Sequence, residues 1–267
     1  MKREFTFRSL ALALAAPLLL ATAGVVQAGD TIDADPVIRR QAVEEILRTL
    51  DDAAVAALRA QLSQETDAGV RGMGKTTLLR ALLGLVPAAS GAIVYDGHEL
   101  RGLPAEVRAR LRIGYVPQGR EIFSQLSVEE NLRIGLGARA TPGRAADVFE
   151  RVYAIFPALR QMGRRRGGEL SGGQQQLAIG RALVLDPQLL ILDEPCEGIQ
   201  PNIVAEIGEL LLRLNRELGL TLLLVEQKLP FARRVASEFR SLDKGRLVAG
   251  GPIAELGDDI VHRHLTV

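Results

Sequence analysis

Tryptophan is absent from the chain and aromatic residues make up only 4% of it, which disfavours a nucleic-acid binder that stacks bases on exposed rings. A single cysteine, Cys196, cannot close an internal disulfide and fits a reducing compartment; a lone Cys is more often a small buried residue than a reactive one. Three histidines, two of them near the C-terminus, and one cysteine cannot assemble a zinc-type cluster. A charge of one sign is also missing. Lys plus Arg number 33 against 32 Asp plus Glu, a net +1, so no global pull toward nucleic acid or an anionic membrane is indicated. The one basic cluster, Arg164-Arg165-Arg166, reads equally well as a solvated turn or as a phosphate or partner contact.

What is present is a set of motifs whose spacing few chemistries need together. In Gly72-Met73-Gly74-Lys75-Thr76-Thr77 the glycines let backbone N–H groups converge on phosphate oxygens, Lys75 adds a point charge, and the Thr76 hydroxyl suits Mg²⁺. The helix expected to begin there aims its positive dipole end at the same anion. Gly69 fits the longer phosphate-loop spacing formally, but the match is tight only from Gly72 onward. Leu189 to Leu192 is an aliphatic run suited to a fully buried parallel strand, and such strands end where ligands bind. Asp193 is then placed to hold Mg²⁺ through water, and Glu194 to act as general base toward an attacking water. The plainer alternative is a buried strand followed by an acidic N-cap. Leu170-Ser171-Gly172-Gly173-Gln174 precedes apolar residues at helical spacing and reads as a helix start with anion-binding N–H groups. Because Lys75 already cradles one phosphate, the economical arrangement puts this helix against the γ-phosphate held by a second copy. Together the motifs read as nucleotide hydrolysis.

With these residues in view, the chain resembles the ATPase subunits of ABC transporters over roughly Gly72 to Val267. LSGGQ (170–174) matches that family's signature, ILDEP (191–195) its acidic strand, and IGYVPQ (113–118) its glutamine loop. The resemblance implies ATP and Mg²⁺ as cofactors. It makes Gly72, Gly74, Lys75, Thr76, Thr77, Ser171, Gly172, Gly173 and Gln174 nucleotide-binding residues, and Thr76, Gln118 and Asp193 the metal-binding ones. Glu194, Gln118 and Gln227 become the catalytic set, with Gln118 sensing the metal and γ-phosphate. Gln227 stands where most relatives carry a switch histidine, so any help it gives the transition state is uncharged. Cys196 stands where the family usually has Thr, and Gln200 where many members have Asp. The implied partners are a second ABC ATPase subunit, as homodimer or heterodimer, inner-membrane permease subunits and, indirectly, a periplasmic solute-binding protein, with no nucleic acid. The segments at 117–136, 194–204 and 222–236 resemble importers of branched-chain amino acids, amides and urea. EGIQP, FARRVA and the C-terminal stretch most resemble the second ATPase of urea importers. A DNA-repair or translation ATPase is disfavoured by the short length and the absence of coiled-coil heptads.

The front of the chain reads differently. Lys2, Arg3 and Arg8, an apolar run from Leu10 to Val26, and small residues before Ala28 have the organisation of a secretory signal over 1–28. Pro17 and the many alanines make the run a poor membrane anchor. Residues 29–71 show two short amphipathic helical patterns, faintly similar to a HEAT-type pair and to the N-terminal region of urea-importer permeases. No aromatic residue occurs between Gly29 and Arg71, and no β-rich stretch. The strands that open an ABC ATPase, and its adenine-stacking ring, are therefore expected to be missing and replaced by helix. Loss of the ring weakens ATP binding by on the order of 1–3 kcal/mol, by analogy with base stacking. Export also conflicts with a site at the cytoplasmic face of the inner membrane. That conflict suggests a junction of two gene pieces near Val70 to Gly72, and with it an alternative function: a non-catalytic chimeric or exported product.

The expected fold is α/β, of the P-loop NTPase type, with a mostly parallel sheet and a helical insertion at about 119–168 inside an ATPase domain spanning 72–267. Helices are expected at 77–86, 104–110, across 127–160, after Gln174, at 201–218 and at 229–236. Strands are expected near Ile93–Tyr95, at Ile113–Val116, Leu189–Leu192 and Thr221–Val225, with a closing ribbon at Phe239–Leu242 and Arg246–Val248.

Overall fold

A computed structural model describes residues 10–13, 78–88, 92–139, 144–170, 172–243, 246–258 and 260–261. Strand β1 (Leu10–Ala13) comes first, and residues 78–82 are helical. A short hairpin of β2 (Val94–Tyr95) and β3 (His98–Glu99) follows, then α1 (Ala105–Arg110) and β4 (Ile113–Val116). Within 119–168 lie α2 (Val128–Leu136), α3 (Ala145–Ile155) and α4 (Pro157–Gln161), and α5 (Gln174–Leu183) follows. After it come β5 (Leu189–Asp193), α6 (Pro201–Leu218), β6 (Thr221–Glu226), α7 (Leu229–Val235), and the antiparallel ribbon β7 (Glu238–Asp243) and β8 (Arg246–Pro252).

The central sheet is parallel throughout, in the order β1-β6-β5-β4. Its strands lack polar alternation because both faces are covered. Leu190, Leu192, Leu222 and Leu224 join one cluster with Leu132, Leu177 and Leu211 from the helices. Ile191, Leu223 and Val225, one residue out of phase, pack in a second cluster with Leu78, Leu79 and Phe239. A period of two along each strand thus feeds two cores, and an unbroken aliphatic run is what a doubly covered parallel sheet requires. Helix α6 connects β5 to β6. Pro201 opens it at a position where a missing N–H costs nothing, and Gly219 closes it in the left-handed conformation at φ 62°. Ile207, Leu211 and Leu214 form its buried stripe.

The insertion is tied to the end of β4 by side chains. Ser127 caps α2, accepting from Glu130 N–H while the Glu130 carboxylate accepts from the Ser127 N–H. Asn131 is fully buried; its amide N–H groups donate to the carbonyls of Phe123, Leu126 and Ser127, and its oxygen accepts from Phe123 N–H. Helix α5 approaches its neighbours closely at Gly180, where a Cβ would meet Leu159 Cδ1 and Val152 Cγ1 at 3.2 Å.

The expected α/β architecture is present, and α6 has the expected bounds. Several helices occupy 127–160 as expected, with Phe156 separating α3 from α4 ahead of Pro157. Three features depart in detail. The β2–β3 hairpin was not foreseen as a pair; its Asp96-Gly97 turn, with φ of 48° and 74°, carries the turn chemistry that marks it. The ribbon strands are longer than expected. Most notably, Leu10–Ala13, read from sequence as part of an apolar signal region, runs parallel to β6 with Leu10 opposite Leu223 and Ala13 opposite Glu226. Strand β6 is therefore paired on this side along those four residues. The helical patterns read over 29–71 and the phosphate loop at 72–77 lie outside the described residues, as does the tip of the closing ribbon, 244–245.

Candidate active site

Parallel strands bring their C-terminal ends to one edge of the sheet, and the candidate catalytic residues gather there. Asp193 is the last residue of β5, Glu194 follows it, Gln227 follows β6, and Gln118 lies just past β4. Gln118 Nε2 donates to Glu194 Oε2 at 3.4 Å and to Glu197 Oε2 at 3.0 Å. Gln227 Nε2 donates to the other Glu194 oxygen, Oε1. The general-base candidate is thus held between two neutral amides, one from each flanking strand. Glu194 has a left-handed backbone, φ 45°, and its N–H donates to Val225 O across the sheet at 2.8 Å. This turns the chain out of the sheet at once and leaves Asp193 behind as a carboxylate only 1% exposed. Tyr115 Oη reaches Asp193 Oδ2 at 3.5 Å, and burial followed by the charge of Asp193 pushes the Tyr115 hydroxyl well above its usual range. It remains a protonated donor toward that acid.

A turn beneath these groups fixes Gln227. The Glu226 side chain is 2% exposed, and its Oε1 accepts the N–H groups of both Gln227 and Lys228, at 2.8 and 3.0 Å. Lys228 Nζ donates to Cys196 O at 2.7 Å, joining this turn to the segment after Glu194. Cys196 is fully buried; burial first, and the Glu226 carboxylate second, hold its thiol far above the ordinary range. It is inert packing, as its isolation in the sequence suggested.

Of the expected site residues, Gln118, Asp193, Glu194 and Gln227 are brought together. Gly172, Gly173 and Gln174 stand elsewhere, at the start of α5, where Gly172 has φ 72° and no side chain caps Gly173. Gln174 contacts Arg120 and the Gly168 carbonyl rather than the Glu194 cluster. Gly72, Gly74, Lys75, Thr76, Thr77 and Ser171 lie outside the described residues.

The family model for the ABC transporter ATP-binding domain, described as "ABC transporter", matches residues 68–197. The high-affinity branched-chain amino acid transport ATP-binding protein BraG of Pseudomonas aeruginosa is 42% identical over 203 residues, covering 76% of this chain and 85% of that protein. The chain belongs to the ABC transporter ATP-binding family. Its relatives also include the probable branched-chain amino acid transport ATP-binding protein LivF of Archaeoglobus fulgidus, 37% identical over 70% of this ABC ATPase and 80% of that one. Among solved structures, the ATP-binding cassette MJ1267 has a TM-score of 0.63 at 23% identity, over 73% of this chain and 83% of that one. The cassette MJ0796, solved as a post-hydrolysis dimer bound to ADP and Pi, has a TM-score of 0.60 at 23% identity, over 67% and 81%. These likenesses identify the fold as that of the ABC cassettes.

Gln118 and Asp193 carry side-chain oxygens of the kind a hard cation such as Mg²⁺ takes, one or two from the protein with phosphates and water completing the shell. Among the described residues no group of three or more His, Cys, Asp or Glu stands together as a metal site. Among the described residues no helix is long and apolar enough to cross a membrane. Reading the sequence missed Glu197, Glu226, Tyr115 and Arg120. No motif marks Glu197, Glu226 or Tyr115, and Arg120 is signalled only by its place behind Gln118-Gly119.

Proposed function

We propose that this chain is the ATP-binding and hydrolysing subunit of an importer whose cargo is a branched-chain amino acid or a related small amide. The observation that carries this reading is the convergence of Gln118, Glu194 and Gln227 above the buried Asp193, at three neighbouring strand ends. In it, two ATPase subunits oppose one another, so that ATP bound at Gly72, Gly74, Lys75, Thr76 and Thr77 of one meets Ser171, Gly172, Gly173 and Gln174 of the other. Thr76, Gln118 and Asp193 would hold Mg²⁺, which would supply charge neutralisation at the phosphates. Glu194 takes the proton of the attacking water. Gln227 orients the Glu194 carboxylate and offers an uncharged N–H to the phosphate oxygens. Gln118 would have to leave its acceptors Glu194 and Glu197 to serve as a metal ligand, and Glu194 would then keep only its bond from Gln227.

Transport by BraG and LivF, as their names describe it, supports branched-chain amino acids as cargo. The urea branch of the reading rests on EGIQP, FARRVA and the C-terminal segment alone. The partners are permease subunits in the inner membrane, met by the exposed Phe123 and Ile134 of the insertion, and the location is the cytoplasmic face. A periplasmic binding protein delivers the solute.

The test is magnesium-dependent ATP turnover by the purified full chain, with N-terminal mass analysis of the protein from fractionated cells. Expected are turnover and an N-terminus that retains residues 10–13. Maturation after Ala28 with export would remove the strand that pairs with β6, and would overturn the reading in favour of the exported product.

A further inference from the structure

The glutamine loop and the signature helix α5 are bound crosswise by two arginines that neither motif includes. From the loop, Arg120 reaches α5 with Nε to Gln175 Oε1 at 3.3 Å and Nη1 to Gln174 Oε1 at 3.4 Å. Its Nη2 donates to Glu197 O at 3.1 Å, in the segment that follows the general base. In the opposite direction Arg181, on α5, donates to the carbonyls of Glu121 at 2.9 Å and Arg120 at 3.3 Å. The loop residues so held are in a conformation that side chains resist, with φ 72° at Arg120 and 43° at Glu121. Gln175 is 3% exposed, and its Nε2 is buried with no hydrogen-bond partner among the described residues, whereas its Oε1 accepts from Arg120.

The geometry points to Arg120 as a positioning residue that locks three pieces together: the loop carrying Gln118, the first turn of α5 and the segment behind Glu194. The guanidinium is suited to this because its donors lie in one plane and diverge, so one side chain serves three acceptors on three elements. A lysine offers one compact charge and cannot span them. Gln118 donates to Glu197 Oε2 while Arg120 donates to Glu197 O, so the loop grips this residue from both sides. A shift of Gln118 away from Glu197 would therefore carry Arg120, and with it the first turn of α5, which in the opposed-subunit reading would face the other subunit's nucleotide. The coupling rests on the opposed-subunit reading above; the clasp itself does not.

The experiment compares Arg120→Ala and Arg120→Lys with the wild-type full chain, using hydrogen exchange without nucleotide and steady-state ATP turnover. In Arg120→Ala, amides in both 118–121 and 173–177 should exchange at least about tenfold faster, while exchange within β5 and β6 stays unchanged. Turnover number should fall about tenfold or more with KM for ATP within about twofold, the signature of misplacement rather than lost binding. Arg120→Lys should restore neither. Unchanged exchange at 173–177 overturns the clasp. Faster exchange with wild-type turnover, or rescue by lysine, overturns the positioning role. Absence of turnover in the wild type removes the proposed function instead, and the exchange comparison still decides the clasp.

Discussion

The strand ends and the helical insertion hold their polar groups by opposite means. At the strand ends, Asp193 and Glu226 are set by sheet geometry: each ends a strand buried on both faces, and Glu194 is placed by its own backbone and by the N–H bond to Val225 O. In the insertion, the chain between β4 and α2 has no ladder. Besides a few backbone bonds to 165–168, it is held by side chains reaching to carbonyls: Asn131 to three of them, Arg181 to two, and Arg120 to one. Glu194 and Asp193, the proposed base and metal ligand, thus stand on the sheet itself, and Gln118, the proposed sensor, on a loop held largely by contacts to other loops and helices. A site that must hold its chemistry still while registering a ligand needs both.

The largest effect that tests this contrast is Glu194→Gln. It should lower ATP turnover by about 10²- to 10⁴-fold with no change in thermal unfolding midpoint, because only the proton acceptor is lost. Near-normal turnover would take Glu194 out of its assigned role. Asn131→Ala should act the other way round. It leaves the Phe123 N–H without its acceptor and takes one of two donors from each of three carbonyls, which keep their backbone partners, and should cost about 1–3 kcal/mol in denaturant unfolding. A loss well under 1 kcal/mol would mean the loop is held by something other than this residue. Smaller still is Ser127→Ala, at about 1 kcal/mol for the lost cap of α2. The Ser127 hydroxyl, and secondly its N–H, hold the Glu130 carboxyl below the usual range. A lowered folded pKa gives stability that is present above the unfolded pKa and is lost as pH falls through the folded value. The gap between Ser127→Ala and wild type should therefore narrow in acid, and a gap independent of pH would show that Glu130 plays no part. Least of all, Glu129→Ala removes only an exposed i,i+4 partner of Arg133 and should leave the denaturation midpoint where it was.

The readable and unreadable parts of the sequence divide along the same line. The runs at Leu189–Leu192 and Thr221–Val225 were legible as strands because burial on two faces removes every polar option, leaving four or more aliphatics in a row. Pro201 and Gly219 marked the ends of α6 for reasons local to the backbone. Asp193 and Glu194 were legible because they follow such a strand directly. The contact of Gln118 with Glu197 was not, since it joins residues 79 positions apart through a loop without periodicity. Glu226 reads as the polar end of an apolar run, and only its two backbone donors show that it holds the turn bearing Gln227.

Period and the order of elements determined the fold class, and the motifs at 113–118, 170–174 and 191–195 carried the resemblance to the family, because those depend on interactions within a few residues or on the environment of whole elements. Tertiary structure alone decided that Leu10–Ala13 lies beside β6, that two glutamines from different strands flank one glutamate, and that Arg120 bridges three elements. Each of these is a meeting of segments far apart in the chain, and which distant groups share a site is set by how the layers pack, which no local pattern records.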